Sequence, residues 1–261
     1  ALHRHVLADG AAGFGRYRAN EGTAPLRQAI SDWIQRRYTV SLDAHTQILP
    51  LNGTREGLYS ALMAICPEVS PRGQTPNVLI PNPFYQVYLV ATLACGAKPV
   101  FVNATAETGF LPDYAGLDAE TLDNTAVAYI CSPSNPQGAV ADAAYWQDLI
   151  TLAEKHDFVI LADECYSEVY RNAPPVGGLQ IAQAMGADPE RVVIFHSLSK
   201  RSNLAGLRSG FCAGGPKSIA AIRKIRALAG APLPGPVQAV STAVWQDEAH
   251  VVESRRLYAE K

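Results

Sequence analysis

Short apolar runs bounded by proline, glycine or asparagine alternate along this sequence with longer amphipathic stretches, and that alternation dictates the fold class. Pro25 to Tyr38 carries Leu26, Ile30, Trp33 and Ile34 at spacings of three and four, which is one face of a helix. Thr54 to Cys66 repeats the pattern through Leu58, Leu62 and Ile65. Val78-Leu79-Ile80, closed by Pro81, reads as a buried strand. Val87 to Cys95 is expected to be helical, and Pro99 to Val102 and Val127 to Cys131 extended. Helix Ala143 to His156 then leads to strand Phe158 to Ala162, and Val192 to Phe195 and Ser209 to Ala213 are further strands. Pro216 to Leu228 and Gln238 to Arg256 read as helices, with a turn or hinge at Ala231 to Pro236 between them. Strands separated by helices make an α/β fold with a mostly parallel sheet flanked by helices. Ligands of such sheets bind at the carboxyl ends of the strands.

Composition narrows the partners. Of the 261 residues, 48% are apolar and 18% charged, which is globular rather than disordered usage. A net charge of −2 offers no basic footprint for nucleic acid or an anionic membrane. No apolar run approaches the roughly 18 residues of a membrane span. Cys66, Cys95, Cys131, Cys165 and Cys212 are dispersed without C-x-x-C spacing, so neither a disulfide scaffold nor a metal site is expected. A reducing, cytoplasmic setting follows from that usage. His3 and His5 are expected at the surface, near a frayed end. The first residues lack a signal-peptide pattern and an initiator Met, and Val251 to Lys261 stops inside a helical pattern without a cap. The sequence is therefore expected to be part of a longer protein.

Four segments carry chemistry. Asn52-Gly53-Thr54-Arg55 joins a strand to a helix, where free N–H groups and a hydroxyl suit a phosphate. There is no G-x-x-x-x-G-K-[ST] and no G-x-G-x-x-G, so nucleotide loops are excluded. Ser132-Pro133-Ser134-Asn135-Pro136-Gln137-Gly138 is a turn able to hold the Asn135 amide in one place. Asp163 ends an apolar strand, where an unpaired acid is costly and a cationic partner would offset the cost. Ser197-Leu198-Ser199-Lys200 follows another strand, and Lys200 among small hydroxyls is a candidate for a depressed pKa and Schiff-base chemistry. Arg208, in a glycine-rich turn, suits bidentate capture of a phosphate. Taken singly, each segment is also an ordinary turn, cap or solvated basic stretch. Taken together they suit a cofactor with a phosphate, a phenolic oxygen, a ring nitrogen and an aldehyde, and pyridoxal phosphate would use every one of them.

From about Gly15 onward the sequence resembles the fold-type-I, class I/II pyridoxal-phosphate aminotransferases. The likeness is densest at Ser197-Leu198-Ser199-Lys200, followed by Asn203, Leu204, Gly206, Arg208 and Gly210 at family spacing. Ser209 departs from the usual aliphatic residue. The resemblance implies that Lys200 is the Schiff-base lysine and Asp163 the partner of the pyridine nitrogen. It implies that Tyr166 and Asn135 bind the ring oxygen and that Tyr85 stacks on the ring. Gly53, Thr54, Arg55, Ser197 and Arg208 would form the phosphate cup. Tyr17 would reach the phosphate of a neighbouring subunit, which implies a homodimer with shared active sites.

Within the family the wording is similar to the N-succinyldiaminopimelate aminotransferases, at NPFYQVY (82–88), DECYSEVY (163–170), HSLSKRSNLAGLRSGF (196–211) and residues 236–258. Transamination of N-succinyl-LL-2,6-diaminopimelate with the 2-oxoglutarate/glutamate pair, in lysine biosynthesis, is the implied activity. The implied partners are small amino and 2-oxo acids. Residues 1–250 would be the large cofactor-binding domain. Residues 251–261 would begin a helix leading to a small domain outside this chain, along with the arginine for the substrate carboxylate. An aspartate-type aminotransferase, a C–S β-lyase and a non-catalytic ligand-binding module on the same fold remain alternatives. His196 is expected to be packed or hydrogen-bonded, and Glu164 exposed or paired.

Overall fold

The computed structural model describes residues 17–260. The expectations for His3, His5 and the stretch before Tyr17 fall outside them. The chain runs through α1 (Ala24–Tyr38), β1 (Ile48–Leu51), α2 (Thr54–Ile65), β2 (Asn77–Asn82), α3 (Gln86–Ala94) and β3 (Lys98–Asn103). It continues through α4 (Ala119–Asp123), β4 (Thr125–Cys131), α5 (Ala143–His156), β5 (Val159–Asp163), α6 (Gly178–Met185) and β6 (Val192–Ser197). Then come α7 (Leu198–Arg201), β7 (Gly210–Ala213), α8 (Pro216–Ala229), α9 (Gly235–Gln246) and α10 (Ala249–Ala259). The boundaries have local causes. Pro25 starts α1, where its missing N–H costs nothing, and Thr39 stops it in the left-handed region at φ 58°. Asp142 caps α5 by accepting the Tyr145 N–H at 2.9 Å.

The strands form one sheet in the order β1-β7-β6-β5-β4-β2-β3. From β6 to β3 every pairing is parallel, and β7 runs against both β6 and β1. The mostly parallel, helix-flanked sheet read from the sequence is the one that forms. β7 differs because the connection through α7 turns back at the same end of the sheet instead of crossing a face.

Alternation along each strand sorts residues between two cores. In β5, Ile160 and Ala162 face the layer of α1, α5, α6 and α9, whereas Leu161 faces α2, α3 and α8. The same rule sends Asp163 to the α2/α3 side and Glu164 to the α1 side. The register sets Cys131 beside Asp163 and Asp163 beside Phe195, so β4 and β5 end level and β6 runs two residues further, to Ser197. On the α1 side, Trp33 meets the rings of Tyr38, His196, Phe211 and Trp245 within 6.0 Å.

One expected helix is two. Gln238 to Arg256 breaks between Gln246 and Ala249. Asp247 is extended and uses its carboxylate to accept the Ala249 N–H at 2.9 Å and to bind the His250 ring at 3.0 Å. Glu248 is drawn to Arg201 at 2.6 Å. Among the described residues no helix is long and apolar enough to cross a membrane.

Candidate active site

The carboxyl ends of β4, β5 and β6 leave a cavity of about 580 Å³ against the start of α2. Thr54, Arg55, Tyr85, Asn135, Asp163, Tyr166, Ser197, Lys200 and Arg208 line it, and each is a residue singled out from the sequence. Cys131, Cys165, Ser199 and Ala205 complete the wall. Gly53 stands at its edge, where an added Cβ would collide with the Arg208 guanidinium. Tyr17 is fully exposed and is not part of this lining.

One end of the cavity gathers groups that suit an anion. Gly53 takes φ 85°, a conformation other residues reach only with strain, and α2 begins at the next residue. The first N–H groups of that helix have no partner within it, and its dipole is positive there. Arg208 sits across from them and donates to the carbonyls of Asn52 at 3.3 Å and Ala205 at 3.0 Å. Arg55 donates through Nε to the Tyr85 hydroxyl. Ser197 accepts the Ser199 N–H at 3.1 Å and donates to Ser199 Oγ at 2.9 Å, which opens α7 and delivers Lys200 to the cavity.

The other end holds a buried acid. Asp163 is 5% exposed. Its Oδ2 accepts the Tyr88 hydroxyl at 3.0 Å, and its Oδ1 accepts the Cys165 N–H at 3.3 Å. Among the described residues no lysine or arginine pairs with it. Burial pushes the Asp163 carboxyl above its ordinary value, against the pull of the Cys165 and Tyr88 hydrogen bonds. Burial likewise pushes the Tyr88 phenol well up, so it stays a donor. Tyr88 stacks on Tyr129 at 4.4 Å between ring centroids. Lys200 Nζ lies 5.5 Å from the centroid of the half-buried Tyr166 ring, whose phenol is also raised by burial.

Tyr88 and Cys165 are the site residues that sequence reasoning missed. Tyr88 follows Tyr85 by three positions, and that spacing on a helix start was the available signal. Cys165 Sγ lies 3.1 Å from Thr54 Oγ1 and so joins the acid's turn to the start of α2. Glu164 resolves to the paired alternative. It is 1% exposed, accepts the Gly178 N–H at 2.7 Å and sits 3.2 Å from His196 Nε2. His196 is packed against Trp33 on the far side of the sheet from the cavity.

A glycine-led helix start facing an arginine, a buried acid without a cationic partner and a lysine thus share one cavity of the α/β sheet. The chain belongs to the aminotransferase class I and II family, whose sequence model matches residues 4–261. That family uses pyridoxal 5′-phosphate. LL-diaminopimelate aminotransferase of Moorella thermoacetica is 34% identical over 254 residues, covering 94% of this chain and 61% of the relative. The crystal structure of an aminotransferase from Neisseria meningitidis matches with a TM-score of 0.92 at 39% identity, over 99% of this chain and 65% of that one. A probable N-succinyldiaminopimelate aminotransferase from Thermus thermophilus matches with a TM-score of 0.88 at 25% identity, over 100% of this chain and 68% of that one. The chain thus spans 61% of the length of the Moorella relative.

Proposed function

We propose that this chain binds pyridoxal 5′-phosphate in the cavity at the ends of β4, β5 and β6 and carries the cofactor half of an amino-acid transamination. The observation that supports it best is Asp163, a buried carboxylate that faces the cavity without a lysine or arginine partner. A protonated ring nitrogen is the cation that would offset its cost. The anion-binding end and Lys200 fit the rest of the same ligand. When bound, the cofactor supplies an electron sink for charge developing on the substrate α-carbon.

Gly53, Thr54, Arg55, Ser197 and Arg208 hold the phosphate. Tyr85 covers the ring. Tyr166 and Asn135 hydrogen-bond the ring oxygen. Asp163 keeps a proton on the ring nitrogen, since an adjacent carboxylate raises that nitrogen's pKa. Lys200 takes a proton from the substrate α-carbon as base and returns it as acid. Tyr17 reaches the phosphate of a second subunit in a cytoplasmic homodimer. Residues 1–250 act as the cofactor-binding domain, and residues from 251 lead toward a small domain.

For substrate, the reading is a diaminopimelate-type amino acid with 2-oxoglutarate as acceptor. The wording shared with succinyldiaminopimelate enzymes favours N-succinyl-LL-2,6-diaminopimelate. The Moorella relative's name makes LL-diaminopimelate the substrate to run beside it. The test is a visible spectrum with added cofactor, before and after L-glutamate. A band that needs Lys200 and is lost on adding glutamate is expected, with Lys200→Ala slower by about 10²–10⁴-fold. Normal turnover in Lys200→Ala overturns the reading. Release of pyruvate and ammonia without a 2-oxo acid would indicate the β-lyase alternative. Absence of any Lys200-dependent band would indicate a binding module.

A further inference from the structure

Behind the start of α2 lies a guanidinium that does not line the cavity. Arg226, in α8, is 1% exposed. Its Nε donates to Glu56 Oε1 at 2.6 Å, and its Nη1 donates to the Pro50 carbonyl at 3.0 Å. Longer bonds of 3.4 Å reach the carbonyls of Asn20 and Ala231. Glu56 in turn accepts the Asn52 N–H at 3.3 Å and the Ser60 hydroxyl at 3.2 Å. The Asn52 side chain donates to the same Ala231 carbonyl at 2.5 Å. Asn52, just before Gly53, is therefore held on both sides. Arg208 binds its carbonyl from the cavity, while Glu56, fixed by Arg226, accepts its N–H from behind.

The charges make this more than a brace. Glu56 is the third residue of α2, next to N–H groups that an anion would need. A free carboxylate there competes for those groups and repels a phosphate. A guanidinium fixed by three carbonyls neutralises Glu56 and turns it backward. Stability alone is a weak reason for such an arrangement, because burying an ion pair costs about as much as it returns.

We infer that Arg226 is a positioning residue for the phosphate cup: it holds Pro50 and Glu56 so that the N–H groups from Gly53 to Arg55 stay aimed into the cavity. The inference rests on the reading that this end of the cavity takes the phosphate of pyridoxal phosphate.

The test compares equilibrium affinities for pyridoxal phosphate, for pyridoxal without its phosphate, and for inorganic phosphate as competitor. Wild-type protein that binds pyridoxal phosphate no better than pyridoxal would remove the functional reading, and the inference with it. Given a wild-type preference, Arg226→Met is expected to weaken pyridoxal phosphate and inorganic phosphate at least tenfold, with pyridoxal unchanged within twofold. Unchanged phosphate affinity, or equal weakening of all three ligands, overturns the inference and leaves the functional reading intact. If circular dichroism shows that Arg226→Met does not fold, Arg226→Lys decides. It keeps a buried cation but loses the fork, so phosphate is expected to weaken at least threefold with pyridoxal unchanged. Equal phosphate affinity in that variant overturns the inference.

Discussion

Asp163 is the residue at which fold and function oppose each other. Burial raises its carboxyl above the unfolded value of about 3.9, so the native state binds the proton more tightly than the unfolded chain does. Stability of the cofactor-free protein therefore falls as pH rises from the unfolded value through the raised one, and the penalty is complete above it. Asp163→Asn has no such term. It is expected to melt higher than wild type at pH 8 without cofactor, with the gap closing toward pH 4, and to lose the half-reaction. Calorimetry across pH checks the first part, and a variant no more stable at pH 8 would contradict it. Tyr88→Phe keeps the ring on Tyr129 but removes a hydrogen bond to Asp163, costing about 0.5–1.5 kcal/mol by urea unfolding. Asp163 was legible in the sequence because an acid closing an apolar strand needs a reason. Tyr88 was only half legible: its spacing from Tyr85 puts the two on one helix face, but nothing local says that its hydroxyl meets a strand 75 residues away.

At the scale of elements, α10 is tied to the turn that follows β5. Glu168, 4% exposed, accepts Arg37 Nε from α1 at 2.6 Å and Arg255 Nη1 from α10 at 2.7 Å. Removing it takes the carboxylate from Arg37, which keeps the Pro175 carbonyl at 3.0 Å, and from the partly exposed Arg255, so Glu168→Ala is expected to destabilise by about 1–3 kcal/mol in urea unfolding. Arg36 and Glu248, half-exposed and 3.9 Å apart, are the contrast. Arg36→Ala should cost less than about 1 kcal/mol. The bend between α9 and α10 was missed because the apolar spacing continues across it and masks the local signal, the Asp247 carboxylate two residues before Ala249. At the break Asp247 is extended, and the Glu248 side chain is held by Arg201, buried between Trp33 and Trp245 and 47 residues away. Helices such as α5 were legible to the residue because their caps lie in the adjacent sequence.

At the scale of the whole molecule, the exposed Tyr17 ring is an element of function only if a second chain receives it. Mixing Lys200→Ala protein with Tyr17→Ala protein is therefore expected to restore activity above either parent, because each mixed dimer regains one complete site. No gain after subunit exchange, or a monomer by sedimentation, would rule out shared sites. The sequence by itself determined the layered α/β sheet and the identity of the groups gathered at the ends of its strands. Periodicity, caps and turn residues act over a few positions, and those signals survive without coordinates. Only the tertiary structure decided that β7 runs backward, that Asp163 faces the cavity while Glu164 faces His196, and that Tyr88 and Arg226 support the site from elements far along the chain. Those outcomes depend on strand register and on which helix covers which face, and no local stretch of residues encodes either.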